Sequence, residues 1–275
     1  METAATIVQK TLEQQELDYR KHLEVCNICG EPIQKDIVIL NKISRVPVLC
    51  KCRREELERE RVKAENIQRQ NRLNNVFKNS LMDNKFESVT FENWDHKKGS
   101  EKLYNICLKY AEHFRKAKES NIGLIIHGNP GNGKTFATAC IANRLLNQGI
   151  PVVCVSINAL LDRIKETYNS WGKEGEETIL KSLSNADLLI LDDLGTEQNT
   201  DWSITKIYNI IDYRYRNELP TIITINLKID ELKDQYGERT YDRILEMCTP
   251  VLNDWKSIRF EKGVEKTKTL KEILS

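Results

Sequence analysis

Hydrophobic positions along this chain fall into two patterns. Short unbroken apolar runs stand at Ile122-Gly-Leu-Ile-Ile-His127, Pro151-Val-Val-Cys-Val155, Asp187-Leu-Leu-Ile-Leu191 and Pro220-Thr-Ile-Ile-Thr-Ile-Asn226, with a shorter one from Pro250 to Leu252. Their length and lack of alternation predict strands buried on both faces. Between them, apolar residues recur at helical spacing, as in Leu103, Cys107, Tyr110, Phe114 and Ala117, in Phe136 to Leu146, and in Asp230 to Glu246. Strands alternating with helices predict an α/β fold, a five-stranded parallel sheet flanked by helices, over residues 86–262.

The chain ahead of this region has a different texture. Residues 1–24 are polar, with Leu12, Leu17 and Leu23 too sparse for a core. Ile37-Val-Ile-Leu40 and Val46-Pro-Val-Leu49 are two strand-like runs set between cysteine pairs. Residues 51–78 then carry nine Lys or Arg against five Glu, without Gly or Pro, and read as a charged helix. It is either a solvated spacer or a surface that docks a partner or touches phosphates. The expected organisation is an N-terminal module over 1–53, a helical linker over 54–85, the α/β domain over 86–262 and a tail over 263–275.

Composition narrows the classes. The 275 residues hold 42 basic and 41 acidic side chains, so bulk charge does not mark a nucleic-acid binder and any basic surface is local. No apolar run is long enough for a membrane span, and polar sequence follows the N-terminus where a secretory leader would be apolar. A cytoplasmic protein with no membrane partner is expected. Of the eight cysteines, Cys107, Cys140, Cys154 and Cys248 sit singly in apolar patterns, as reduced core residues do. Cys26-Asn-Ile-Cys29-Gly30 and Cys50-Lys-Cys52 are different. Two close pairs, the first on a glycine turn, supply four thiolates for tetrahedral Zn²⁺. His22 is an alternative to one of them, and a small zinc ribbon of this size needs its metal to fold.

The densest chemistry lies at Gly128-Asn129-Pro130-Gly131-Asn132-Gly133-Lys134-Thr135, which fits the phosphate-loop pattern at every position. Glycines let the backbone curl and aim several N–H groups at one anion, and the following helix adds its N-terminal dipole. Lys134 is placed to reach the β- and γ-phosphates of ATP and Thr135 to ligate Mg²⁺, with Phe136 next in line on the helix. Asp192 and Asp193 close a buried strand 58 residues after Lys134. Asp192 is read as completing the Mg²⁺ shell and Asp193 as polarising the attacking water. Asn226, ending the next strand, is read as orienting that water or bonding the γ-phosphate.

Taken in order, these residues resemble the AAA+ ATPases, and within them the DnaC/IstB-type family of helicase loaders and transposition helper ATPases. The resemblance spans about residues 80–262. Besides the loop and the Leu-Leu-Ile-Leu-Asp-Asp-Leu-Gly strand, it rests on Thr90-Phe-Glu-Asn-Trp94, Leu219-Pro-Thr-Ile-Ile-Thr-Ile-Asn-Leu227, Tyr241-Asp-Arg243-Ile-Leu and Trp255-Lys-Ser-Ile-Arg259. It implies ATP hydrolysis that is slow and stimulated by oligomerisation or DNA. Arg243, or Arg239 nearby, would reach a neighbouring subunit's nucleotide, and Arg259 would contact its own. Further implications are an N-terminal module gripping a hexameric replicative helicase, self-association through the ATPase domain, and no full lid domain, since 23 residues follow Leu252. Single-stranded DNA binding is implied too. Arg163, Lys165, Tyr168, Trp171 and Lys173 set cations among aromatics as such binding requires, although an ordinary amphipathic helix has the same pattern.

Overall fold

The computed structural model describes residues 23–39, 42–77, 86–168 and 175–274. The chain divides between Glu65 and Asn66 into two compact units. The first is built on an antiparallel hairpin of β1 (Gln34–Ile39) and β2 (Lys42–Pro47), in register from Gln34 opposite Pro47 to Ile39 opposite Lys42. A tight turn precedes it: the Gly30 N–H donates to the Cys26 carbonyl at 2.9 Å, and Gly30 takes φ +71°, which costs a glycine little. Helix α1 (Lys51–Phe77) begins in this unit, carrying ion pairs such as Arg61–Glu58 at 2.7 Å on its solvated sides.

The end of α1 belongs to the second unit. Leu73, Val76 and Phe77 are buried in its core. The Gln70 side chain donates to the Val152 carbonyl at 3.0 Å and accepts the Val152 N–H at 2.8 Å. Arg69 bonds the Asp187 carboxylate at 2.9 Å, and Arg163 Nε donates to the Val76 carbonyl at 3.0 Å, capping the helix. The charge density of residues 51–78 hides this short apolar stripe, which only its last two turns carry.

Beyond α1 the unit continues through a 3₁₀ turn (Phe91–Asn93), α2 (Glu101–Glu112), α3 (Phe114–Glu119), β3 (Gly123–His127), α4 (Lys134–Asn147), β4 (Val152–Ser156), α5 (Ile157–Tyr168) and α6 (Glu176–Ser184). Then come β5 (Leu188–Leu194), α7 (Asp201–Arg216), β6 (Thr221–Ile225), α8 (Glu231–Tyr236), α9 (Glu238–Met247), β7 (Cys248–Leu252) and α10 (Ile258–Leu274). Two expected helices are broken in two, at His113 (φ −106°, ψ 19°) and at Gly237 (φ +79°). Among the described residues no helix is long and apolar enough to cross a membrane.

The strands form one parallel sheet in the order β4-β5-β6-β3-β7. Alternate residues of the apolar runs serve opposite faces. Ile125, Val153, Val155, Leu189, Leu191, Ile223 and Ile225 join one core cluster; Leu124, Ile126, Val152, Cys154, Leu188, Ile190 and Ile222 join the other. Each such side chain contributes on the order of 1.5–3 kcal/mol by leaving water. Arg214 lies fully buried at the N-terminal end of the strands, donating to the carbonyls of Leu183 (2.7 Å), Ala186 (3.0 Å) and Pro220 (2.6 Å). The strand order has one consequence for chemistry. β3 and β5 are not neighbours; β6 runs between them, so Asn226 emerges between the glycine loop and the paired aspartates.

Candidate functional site

The loop leaving β3 takes positive φ at Gly128 (142°), Gly131 (80°) and Gly133 (96°), and α4 starts directly behind it. A Cβ at Gly128 would come within 2.0 Å of the Asn253 carbonyl, and one at Gly131 within 2.5 Å of Ser257 Oγ. The segment between β7 and α10 holds the loop in place. Asn132 Nδ2 donates to the Asn253 carbonyl at 2.7 Å and Asn253 Nδ2 donates back to the Asn132 carbonyl at 3.0 Å. The Ile258 N–H bonds the Gly131 carbonyl at 2.9 Å. Lys134 sits 5% exposed with its ammonium donating to the Gly128 and Asn129 carbonyls (2.8 and 2.9 Å) and to Asn226 Oδ1 (2.8 Å). Burial pulls it down to about 8, against the opposing pull of Asp193 and Asp192.

At the end of β5 the ladder to β6 shifts register between Leu191 and Leu194. Asp193 there takes φ +55°, a left-handed conformation uncommon for a residue with a side chain. Asn226 Nδ2 donates to Asp193 Oδ1 at 3.1 Å, so one amide links Lys134 to Asp193. Asp192 is buried, which raises its carboxyl, while hydrogen bonds from Thr224 and Thr135 pull it down. Thr135 and Asp192 are therefore adjacent oxygen donors suited to a hard cation such as Mg²⁺.

These groups face a cavity of about 350 Å³. Lys134, Asp193 and Asn226 line it with Phe86, Trp94, Phe136, Ile258, Arg259, Lys262 and the loop from Pro130 to Gly133. A cavity that brings basic and backbone N–H groups of the loop together with aromatic surface suits a nucleotide.

The comparisons with known proteins agree. A family model described as IstB-like ATP binding protein matches residues 52–265. The chain belongs to this family of IstB-like ATP-binding proteins. The replicative helicase loader DnaC of Escherichia coli (strain K12) is 30% identical over 199 residues, covering 70% of this chain and 79% of that protein. A crystal structure of the DnaC helicase loader superposes with a TM-score of 0.53 at 27% identity, covering 62% of this chain and 99% of the other. AMPPCP-bound DnaA from Aquifex aeolicus shares the fold, with a TM-score of 0.53 at 21% identity over 66% of this chain and 56% of that one. The sheet is that of the AAA+ proteins, as the sequence resemblance implied, and among the described residues one helix follows β7.

Other candidates of this IstB-like chain lie outside the cavity. Arg243 on α9 is directed at α7: its Nη2 is 2.8 Å from Asp212 Oδ1, and its guanidinium lies 4.9 Å and 5.6 Å from the rings of Tyr208 and Tyr215. Arg239, one turn earlier, is exposed. Of the DNA candidates, Trp171 and Lys173 fall outside the described residues. Arg163 is engaged with α1 and with Glu166. Lys165 stands 5.1 Å over the ring of Trp202, whose indole N–H bonds the Tyr168 hydroxyl at 3.4 Å.

In the N-terminal unit, the sulfurs of Cys26, Cys29, Cys50 and Cys52 all lie within 4.8 Å of one another. Tetrahedral Zn²⁺ with bonds of about 2.3 Å sets sulfurs roughly 3.8 Å apart, so the four fit. Backbone N–H groups of Cys29 and Ile28 hold the Cys26 thiol down at about 6, and Cys29 is lowered the same way by Glu31. Crowding by Cys50 and Cys26 pushes Cys52 up. Four sulfurs gathered at this spacing suit a cation at their centre. His22 lies outside the described residues.

Sequence reasoning missed Thr224, Asn253 and Trp202 as site neighbours. Thr224 is hidden in an apolar strand, Asn253 meets the loop across 121 positions, and Trp202 lies 37 residues along the chain from Lys165, the cation it stacks with. Trp94 was legible as part of Thr90-Phe-Glu-Asn-Trp94, though not as cavity lining.

Proposed function

We propose that this chain is an ATP-hydrolysing loader that places a hexameric replicative helicase on single-stranded DNA. The reading is supported by the cavity that Lys134, Asp193 and Asn226 line at the glycine loop, together with relatives named as helicase loaders over most of their length. In this reading Lys134 and the loop N–H groups bind the phosphates, and Thr135 and Asp192 hold Mg²⁺, which supplies charge neutralisation when bound. Asp193 accepts a proton from water that Asn226 orients, Arg259 contacts the nucleotide of its own subunit, and Arg243 acts on a neighbour's. The four cysteines hold Zn²⁺ in a module that grips the helicase, and Lys165, Tyr168 and Trp202, with Arg163, Trp171 and Lys173, supply the DNA face. The family model is described as IstB-like, and a transposase-assisting ATPase is the alternative that the sequence resemblance leaves, but the four-cysteine module and the loader relatives favour the helicase. The test is to mix the full chain with a hexameric replicative helicase and follow co-elution and helicase transfer to circular single-stranded DNA, with ATP or ADP. A stable complex and ATP-dependent transfer are expected; failure to bind helicase, together with binding to a transposase, overturns the proposal.

A further inference from the structure

The two aspartates of β5 share one neighbour with no assigned role. Thr224 on β6 is fully buried. Its hydroxyl oxygen accepts the Asp193 N–H at 2.9 Å and its proton goes to Asp192 Oδ1 at 2.7 Å. The register shift between Leu191 and Leu194 explains why a side chain is needed there. The shift interrupts the ladder at Asp192 and Asp193, and a buried N–H without a partner is costly. A hydroxyl that accepts from Asp193 cannot also point its proton back at that N–H, so the proton is turned to the carboxylate beside it. Valine has nearly the same shape and β preference, so the strand itself does not call for threonine.

We infer that Thr224 is the positioning residue for both aspartates: it holds the Asp193 backbone in its left-handed turn and fixes the carboxylate of Asp192 for a divalent cation. The inference rests on the reading of Asp192 as a Mg²⁺ ligand. Partners that orient metal-binding carboxylates change metal affinity or turnover about 10- to 100-fold when removed.

The test compares the full-length wild type with Thr224→Val, Thr224→Ser and Asp192→Asn. Two readouts are taken, the Mg²⁺ concentration that half-saturates binding of a fluorescent ATP analogue, and steady-state ATP turnover. For Thr224→Val the Mg²⁺ midpoint rises about tenfold and turnover falls 10- to 100-fold, while nucleotide affinity without Mg²⁺ stays within about twofold of wild type. Thr224→Ser, which keeps the hydroxyl, stays within about threefold on both counts. A wild-type Mg²⁺ midpoint in Thr224→Val, or a serine variant as impaired as the valine one, overturns the inference. Should Thr224→Val not fold, Thr224→Ala is set against Thr224→Ser, and equal Mg²⁺ responses from that pair also overturn it. Asp192→Asn separates the two levels: if it leaves the Mg²⁺ midpoint unmoved, the metal reading itself fails, whereas a shift there with none at Thr224 removes only this inference.

Discussion

Lys134 is the residue on which nucleotide binding turns, and its setting makes the dependence measurable. Its ammonium is satisfied by two loop carbonyls and Asn226 before any phosphate arrives, at the cost of a charge set in a buried site. Substitution by alanine should abolish ATP binding in isothermal titration; retained tight binding would sink the reading. The pH dependence has a definite sign. Phosphates favour the charged lysine, and burial brings its titration to about 8. Binding is thus at full strength below pH 8 and must take up a proton above it, so ATP affinity should fall about tenfold between pH 7 and pH 9. Asp193→Asn should leave binding intact and slow turnover by about 100-fold or more, as loss of a general base does. A variant that hydrolyses ATP normally would show that Asp193 does not act on water.

At the level of elements, the five strands were legible because each is a continuous apolar run, and α2 to α4, α8 and α9 because their apolar residues are periodic, whereas α7 was not read as a helix and α10 was expected as a tail. Lys134, Thr135, Asp192, Asp193 and Asn226 were legible because they stand where those runs stop. What escaped were pairings that leave no local trace. Gln70 and Arg69 sit in a charged helix yet bond Val152 and Asp187. Asn253 comes after a strand with nothing to mark it, yet it completes two amide bonds across the loop with Asn132. Arg214 reads as one of two basic residues ending α7 and is instead a buried tie among three carbonyls. Replacing it with alanine would strand those acceptors and should cost on the order of 3 kcal/mol. Urea denaturation would register this as a lower midpoint with an unchanged slope. A midpoint like that of the wild type would mean that the carbonyls find other donors.

On the scale of the whole molecule, the question is how many copies make one working site. Arg243 is held against Asp212 and two tyrosines, well placed on α9 but away from the cavity of its own chain. Arg243→Ala should lower turnover by about 10³-fold if it serves a neighbour's nucleotide. Mixing it with Lys134→Ala, which has a dead site and an intact arginine, should restore part of the activity. Absence of any restoration would make Arg243 a structural ion pair or move the role to Arg239. The N-terminal unit carries its own measurement. Metal analysis of the full chain should find about one zinc, lost when the four cysteines are replaced by serine, and a chain purified without metal that keeps its fold would remove the site. The last two turns of α1 also decide where the protein can be cut. β4 is an outer strand of the sheet, and Gln70 occupies the N–H and C=O of Val152 on its open side. A fragment beginning at residue 86, where the sequence texture first suggests a domain, would bare that strand along with the patch left by Leu73, Val76 and Phe77. Such an edge recruits strands from other molecules. The shorter fragment should therefore aggregate, and one beginning at Asn66 should stay monodisperse in light scattering.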